Sequence, residues 1–63
     1  MKVKELVNYC YDTIIIYRCL DLDNGAFKDL FKGIKEEIPH GLLELQVRNF
    51  GAKKVGVVEI EVV

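Results

Sequence analysis

A chain of 63 residues with a formal net charge of −1 is expected to form one small domain, residues 1–63. The sequence contains nine Lys and Arg residues and ten Asp and Glu residues, so the composition lacks the basic excess typical of nucleic-acid binding. Apolar and aromatic residues make up 51% of the sequence, although a domain of this size buries only about 60% of its unfolded surface. Some apolar surface is left for a partner, and we expect a homodimer.

The sequence predicts neither a membrane span nor an export signal. Its longest apolar run, Thr13–Tyr17, is far shorter than the roughly 20 residues of a transmembrane helix. The first residues mix charged and apolar side chains, which is unlike the apolar core of a signal peptide. The chain has two cysteines, Cys10 and Cys19, which are too few for the disulfide framework that usually stabilises a small secreted domain. We therefore expect a cytoplasmic protein with reduced thiols.

In chain order, the first two predicted elements are an amphipathic helix and a β-strand. The helix is indicated by four apolar residues at helical spacing: Val3, Leu6, Val7 and Cys10. Three consecutive isoleucines then favour a strand. That strand has two apolar faces, Ile14, Ile16, Leu20 and Leu22 on one and Ile15, Tyr17 and Cys19 on the other. Such a pattern is typical of a central strand or one covered on both sides.

Two structures fit residues 26–38. Five apolar residues form a helical stripe: Phe27, Leu30, Phe31, Ile34 and Ile38. Against a helix, Gly33 in the middle of the segment costs about 1 kcal/mol relative to alanine. Asn24-Gly25, just before the segment, is a strong signal for a β-hairpin. We favour the hairpin, and the alternative is a helix over residues 26–38 with a sheet of three strands.

Pro39 marks the start of a short helical turn, and two further strands are predicted after it. They are "LQVRNF" and "VGVVEIEVV", with "GAKK" between them as the turn. In the last strand Val58, Ile60 and Val62 share a buried face, whereas Glu59 and Glu61 alternate with them on a solvated one. The chain thus predicts an α+β fold, in which the N-terminal helix packs on a mainly antiparallel four-stranded sheet made of two hairpins.

The possible chemical sites are few. Asp21, Asp23 and Asn24 resemble the start of a calcium loop, but such a loop needs glutamate at its twelfth position, where Lys32 stands. A second set of residues, Cys10, Asp12, Cys19 and His40, lacks the spacing of metal ligands or of a nucleophile with its base. We therefore predict no catalytic residue, no cofactor, no metal and no enzymatic activity.

The order of the segments resembles a loose set of small uncharacterised proteins from phages and prophages of Firmicutes. The first strand matches at Asp12, Thr13, Ile14, Ile16 and Tyr17. The second strand of the first hairpin matches at Gly25, Leu30, Phe31 and Gly33. Further matches are Ile38, Pro39, Leu42 and Leu43, then Val58, Ile60 and Val62 in the closing hairpin. The resemblance implies a helix with two hairpins and brings no catalytic residues.

By analogy of size and origin, the resemblance implies an inhibitor that binds a host or defence protein, as anti-CRISPR proteins do. The candidate interaction surface is Tyr17, Arg18, Phe27, Lys28, Phe31 and Lys32. One alternative is a nucleic-acid-binding regulator, disfavoured by interleaved acids, that uses Lys28, Lys32, Lys35, Lys53 and Lys54. Another is a protein that sequesters a small ligand or nucleotide between protomers near Tyr17, Arg18 and Phe31.

Overall fold

The computed structural model describes residues 1–21 and 23–63 and has an α+β fold with four strands. Its elements are α1 (Val3–Val7), β1 (Thr13–Asp21), β2 (Ala26–Gly33), a 3-10 turn (Lys35–Glu37), α2 (His40–Leu43), β3 (Val47–Lys54) and β4 (Val57–Val62). The predicted hairpin is confirmed, and the alternative helix over residues 26–38 is wrong. Leu22, which the sequence pattern assigns to the Ile14 face of β1, lies outside the described residues.

The sheet has the strand order β2-β1-β4-β3. Each hairpin is antiparallel, β1 with β2 and β3 with β4, as the sequence predicts. The two hairpins join through β1 and β4, which run parallel to one another. The sheet is therefore mixed, and its two central strands come from opposite ends of the described chain.

The core lies between one face of the sheet and the two short helices. Its buried members are Val3, Val7, Ile14, Ile16, Ile38, Ile60 and Val62. In the parallel ladder, Ile14 lies opposite Val58 and Ile16 lies opposite Ile60. Because burying one such side chain contributes about 1.5–3 kcal/mol, the paired strands β1 and β4 supply much of the stability of the fold.

Contacts with the chain ahead of β3 hold α1 in place. A helix of five residues does not persist alone in water. The Val3 amide donates to the Leu45 carbonyl at 2.9 Å, and the Val47 amide donates to the Met1 carbonyl at 2.8 Å. On the outside, Lys2 Nζ and Lys4 Nζ each lie 3.0 Å from the Glu44 carboxylate. These contacts place Val3 and Val7 over the sheet.

The turn between β1 and β2 is organised by Asp21. Its carboxylate accepts a hydrogen bond from the Asp23 amide at 3.0 Å and one from Asn24 Nδ2 at 2.6 Å. The bond from the Asn24 side chain, helped by the backbone amides of Asn24 and Asp23, holds the pKa of Asp21 below its usual value. Gly25 follows with φ 65°, which glycine adopts without steric cost. The acidic residues that resemble a calcium loop thus form a hairpin turn.

A β-bulge in β2 explains why this segment also resembles a helix. Ile16 pairs with Phe31 and Tyr17 pairs with Asp29, so Leu30 is the extra residue on β2. Leu30 and Phe31, although adjacent in the chain, both pack against the core. Two adjacent buried residues break the strict alternation of a strand and produce a spacing similar to that of a helix.

The second hairpin turns later than the sequence predicts. "GAKK" was expected to form the turn, but Gly51 pairs with Glu59 and Ala52 pairs with Val58 inside the ladder. The turn is Val55-Gly56, where Gly56 has φ 84°. The prediction is wrong because β3 is an edge strand, and glycine and lysine on such a strand give the composition of a turn.

Candidate interaction surface

The face of the sheet opposite the core, which we call the open face, carries side chains from all four strands. The ladder defines this face, because Ile14 and Ile16 on β1 point into the core and their neighbours point away from it. Tyr17 lies between Asp29 on β2 and Glu61 on β4. Ile15 lies between Lys32 and Glu59 in the same way. Both helices contribute to the core cluster on the other face, so they leave this one uncovered.

An aromatic pair lies towards the β2 side of the open face. The rings of Tyr17 and Phe27 meet edge to face, with centroids 5.6 Å apart and an interplanar angle of 78°. Beside them is a pocket of about 270 Å³ lined by Tyr17, Phe27, Asp29 and Glu59. Phe27 remains 56% exposed. The pocket therefore combines an accessible aromatic surface with two carboxylates.

The carboxylates on the open face are balanced unequally by cations. Glu61 Oε2 lies 3.6 Å from Arg48 Nε, and Glu59 Oε2 lies 3.8 Å from Lys53 Nζ. Within the described parts of the chain, Asp29 has no cation within ion-pair distance. The pocket therefore contains one partly neutralised carboxylate and one that is available to a partner.

Burial raises the pKa of Tyr17, and the neighbouring carboxylates of Glu61 and Glu59 raise it further. The phenol therefore stays neutral at physiological pH, and the negative charge near the pocket comes from carboxylates alone. Glu61 is less solvated than its alternating position predicts, since only 13% of its side chain is exposed. The predicted solvated face of β4 is therefore only partly exposed, because neighbouring strands on both sides supply side chains that cover it.

The structure divides the predicted interaction surface between two faces. Tyr17, Phe27 and Lys32 lie on the open face. The other three residues lie on the core side, where Phe31 pairs with Ile16 and Arg18 pairs with Lys28 and Val62. Sequence reasoning missed Asp29 and Glu59 as neighbours of Tyr17. The hairpin signal at Asn24-Gly25 brings Asp29 near Tyr17, but the bulge that fixes their pairing gives no signal of its own.

The lysines of the nucleic-acid alternative do not form one surface. Lys28 and Lys32 lie on β2, whereas Lys53 and Lys54 lie on β3, at the opposite edge of the sheet. Lys35 Nζ lies 4.6 Å from the centre of the Tyr11 ring, where it makes a cation–π contact within the chain. This arrangement gives no continuous basic stripe that could follow a phosphate backbone.

The thiols and the histidine occupy separate parts of the fold. Cys10 Sγ donates to the Leu6 carbonyl at 3.6 Å beside α1. Cys19 lies near the far end of β1, about 20 Å along the strand from Thr13 at roughly 3.3 Å per residue. His40 is the first residue of α2 and is exposed. Within residues 1–21 and 23–63, no three His, Cys, Asp or Glu side chains are arranged to hold a metal ion.

Comparison of the chain with models of protein families, with curated proteins and with solved structures finds no match. The resemblance to phage accessory proteins therefore stays a prediction. In the part of the chain that the structure describes, no helix is both long enough and apolar enough to cross a bilayer.

Proposed function

We propose that the protein is a non-enzymatic interaction module, a cytoplasmic accessory factor of a phage or mobile element that inhibits a host or defence protein by occluding it. The observation that carries this proposal is the open face, where exposed Phe27 and the Tyr17 ring lie on the side of the sheet that no described helix covers. Aromatic residues with charged neighbours are typical of the centre and rim of protein interfaces.

Self-association is part of the proposal. Among the described residues, nine large hydrophobic side chains are more than half exposed: Met1, Tyr9, Tyr11, Leu20, Phe27, Ile34, Phe50, Val55 and Val63. A second groove, of about 400 Å³, runs beside α1 and includes Met1, Leu6 and Tyr9. So much apolar surface on so small a domain supports a homodimer.

The two alternative functions draw less support from this arrangement. Lysines on opposite edges of the sheet do not favour binding to nucleic acid. Asp29 and Glu59 line the pocket next to Tyr17 and would repel the phosphates of a nucleotide. A protein partner fits the open face better than either ligand.

Capture of partners from a bacterial host lysate, followed by mass spectrometry, tests the proposal. We expect one protein to be captured by the wild type and lost with Phe27→Ser, which removes an exposed ring from the open face. Val55→Ser is the matched control, because Val55 is fully exposed in the turn between β3 and β4. Circular dichroism checks that both variants fold. Capture of the same proteins by all three chains, or of none by the wild type, would count against the proposal.

A further inference from the structure

The pocket beside Tyr17 and Phe27 indicates which chemical group a partner presents. We infer that it receives an arginine side chain of the partner protein, an inference that rests on the proposed function. The lining consists of two aromatic rings and two carboxylates. A guanidinium is the side-chain group that interacts well with both, since it stacks on aromatic rings and forms paired hydrogen bonds with carboxylates.

The charge at the pocket matches a single cation. Glu59 already has Lys53 Nζ at 3.8 Å, whereas Asp29 has no cation of its own within the described residues. One incoming positive charge would therefore neutralise the lining. The Tyr17 phenol remains neutral, because burial and the carboxylates of Glu61 and Glu59 raise its pKa. It therefore presents an uncharged ring to the guanidinium.

The position of the pocket favours a side chain that belongs to a larger partner. The pocket, of about 270 Å³, is open to solvent at the surface of the sheet rather than enclosed. Phe27 and Asp29 both belong to β2, an edge strand of the sheet. A partner can therefore place an arginine in the pocket while the rest of its surface contacts the open face.

Titration of the ¹⁵N-labelled protein with two blocked tripeptides tests the inference. One tripeptide is Gly-Arg-Gly, and the other contains citrulline, which has nearly the same shape but no charge. We expect the arginine peptide to shift the amide signals of Tyr17, Phe27, Asp29 and Glu59 saturably. The citrulline peptide should bind about tenfold more weakly, because it lacks the charge that strengthens contacts with the carboxylates and rings.

Two variants separate the pocket from a general charge effect. Asp29→Asn should weaken binding of the arginine peptide about tenfold, a loss typical of a charge-assisted hydrogen bond. Asp23→Asn changes the net charge equally but lies in the turn after β1, so it should leave the affinity unchanged. Equal affinity for the two peptides, signal changes centred elsewhere, or equal losses in the two variants would overturn the inference.

The outcomes also distinguish this inference from the proposed function. If the arginine peptide shows no preference for the pocket while Phe27→Ser still abolishes capture of a partner, the inference fails and the proposed function stands. If capture does not depend on Phe27, the proposed function itself fails.

Discussion

Three isoleucine side chains with no exposed surface, Ile14, Ile16 and Ile60, form the centre of the core. They lie on adjacent parallel strands, with Ile16 directly opposite Ile60. Truncating one of them leaves a cavity that a sheet and two short helices have few atoms to refill. At the scale of the residue, the stability of the domain therefore depends on this small group.

Ile16→Ala should lower the free energy of unfolding by about 2–5 kcal/mol. Native domains have only about 5–15 kcal/mol in total, and small ones lie at the lower end, so the variant should keep only a small part of the stability of the wild type. The control is Ile15→Ala, because Ile15 is half-buried on the open face. Urea denaturation followed by circular dichroism measures both. Equal losses in the two variants would contradict the division into a core face and an open face.

Tyr17 should make stability fall at alkaline pH. Burial, with the carboxylates of Glu61 and Glu59, raises its pKa above the usual value near 10. The fold therefore favours the neutral phenol. The stability that the fold gains from the neutral phenol is complete at pH values below the pKa of Tyr17 in the unfolded chain. It is lost as the pH rises through the pKa of Tyr17 in the folded protein. Urea denaturation above pH 10 should show a smaller loss of stability for Tyr17→Phe than for the wild type.

The cause of the raised pKa can be tested separately. Glu61→Gln removes one of the two carboxylates that raise the pKa of Tyr17, so it should lower that pKa as followed by NMR of the tyrosine ring. A Tyr17 pKa that does not change in Glu61→Gln would show that Glu61 has no part in the shift.

The sequence predicts the core residues Ile14, Ile16, Ile60 and Val62, but it places Leu20 on the same face as Ile14, and Leu20 is 60% exposed next to a register shift in β1. It also predicts the neighbours of Tyr17 poorly. Alternation identifies Ile14 and Ile16, since it is a property of one strand. The pocket combines Tyr17 on β1, Asp29 on β2 and Glu59 on β4. Their proximity depends on which strands pair and in which register, and neither follows from the pattern of a single strand.

At the scale of the element, the two hairpins show how turns and edge strands affect the prediction of strands from the sequence. The first was predicted because Asn24-Gly25 is a specific turn signal. The second was placed too early, because "GAKK" has the composition of a turn while its residues belong to an edge strand. Edge strands are solvated along their free side and tolerate lysine and glycine. Composition alone therefore does not separate an edge strand from a turn.

Gly56→Ala should destabilise the second hairpin. At φ 84°, an alanine Cβ crowds the backbone, which costs about 1–2 kcal/mol. Gly51→Ala is the control, because Gly51 lies in β3 with no positive φ and no heavy atom within 4 Å of an added Cβ. It should leave the free energy of unfolding nearly unchanged. Urea denaturation of both variants tests where the turn lies, and a larger loss at Gly51 would contradict a turn at Val55-Gly56.

At the scale of the whole molecule, the sheet is covered on one face and bare on the other. Its two edges carry charged residues: Lys28, Asp29 and Lys32 on β2, and Arg48, Lys53 and Lys54 on β3. Charged side chains on an edge strand oppose pairing with a strand of a second molecule. Self-association is therefore expected through exposed apolar side chains rather than through continuation of the sheet.

Light scattering during size-exclusion chromatography should show a dimer that dissociates on dilution. The expected contacts are exposed apolar side chains, so raising the salt concentration should not weaken the assembly, as it would weaken one held by surface charges. A monomer at high micromolar concentration would contradict the homodimer, and dissociation by salt would contradict apolar contacts.

The parallel pairing of β1 and β4 was not predicted from the sequence. Both strands are rich in β-branched residues, as central strands often are. However, the pairing joins Thr13–Arg18 to Val57–Val62 across most of the chain. A contact so distant in sequence leaves no local periodicity, which is why the hairpins could be predicted but the way they join could not.

This parallel pairing also determines how the fold would resist a pulling force. The start of β1 and the end of β4 lie at opposite ends of the central ladder, because the two strands run in the same direction. Tension between these two points would load the six residue pairs of the ladder together, in shear. Tension that separates β1 from β2 at their open end would break that hairpin one pair at a time. The domain should therefore be mechanically strong along its central strands and weak across its hairpins.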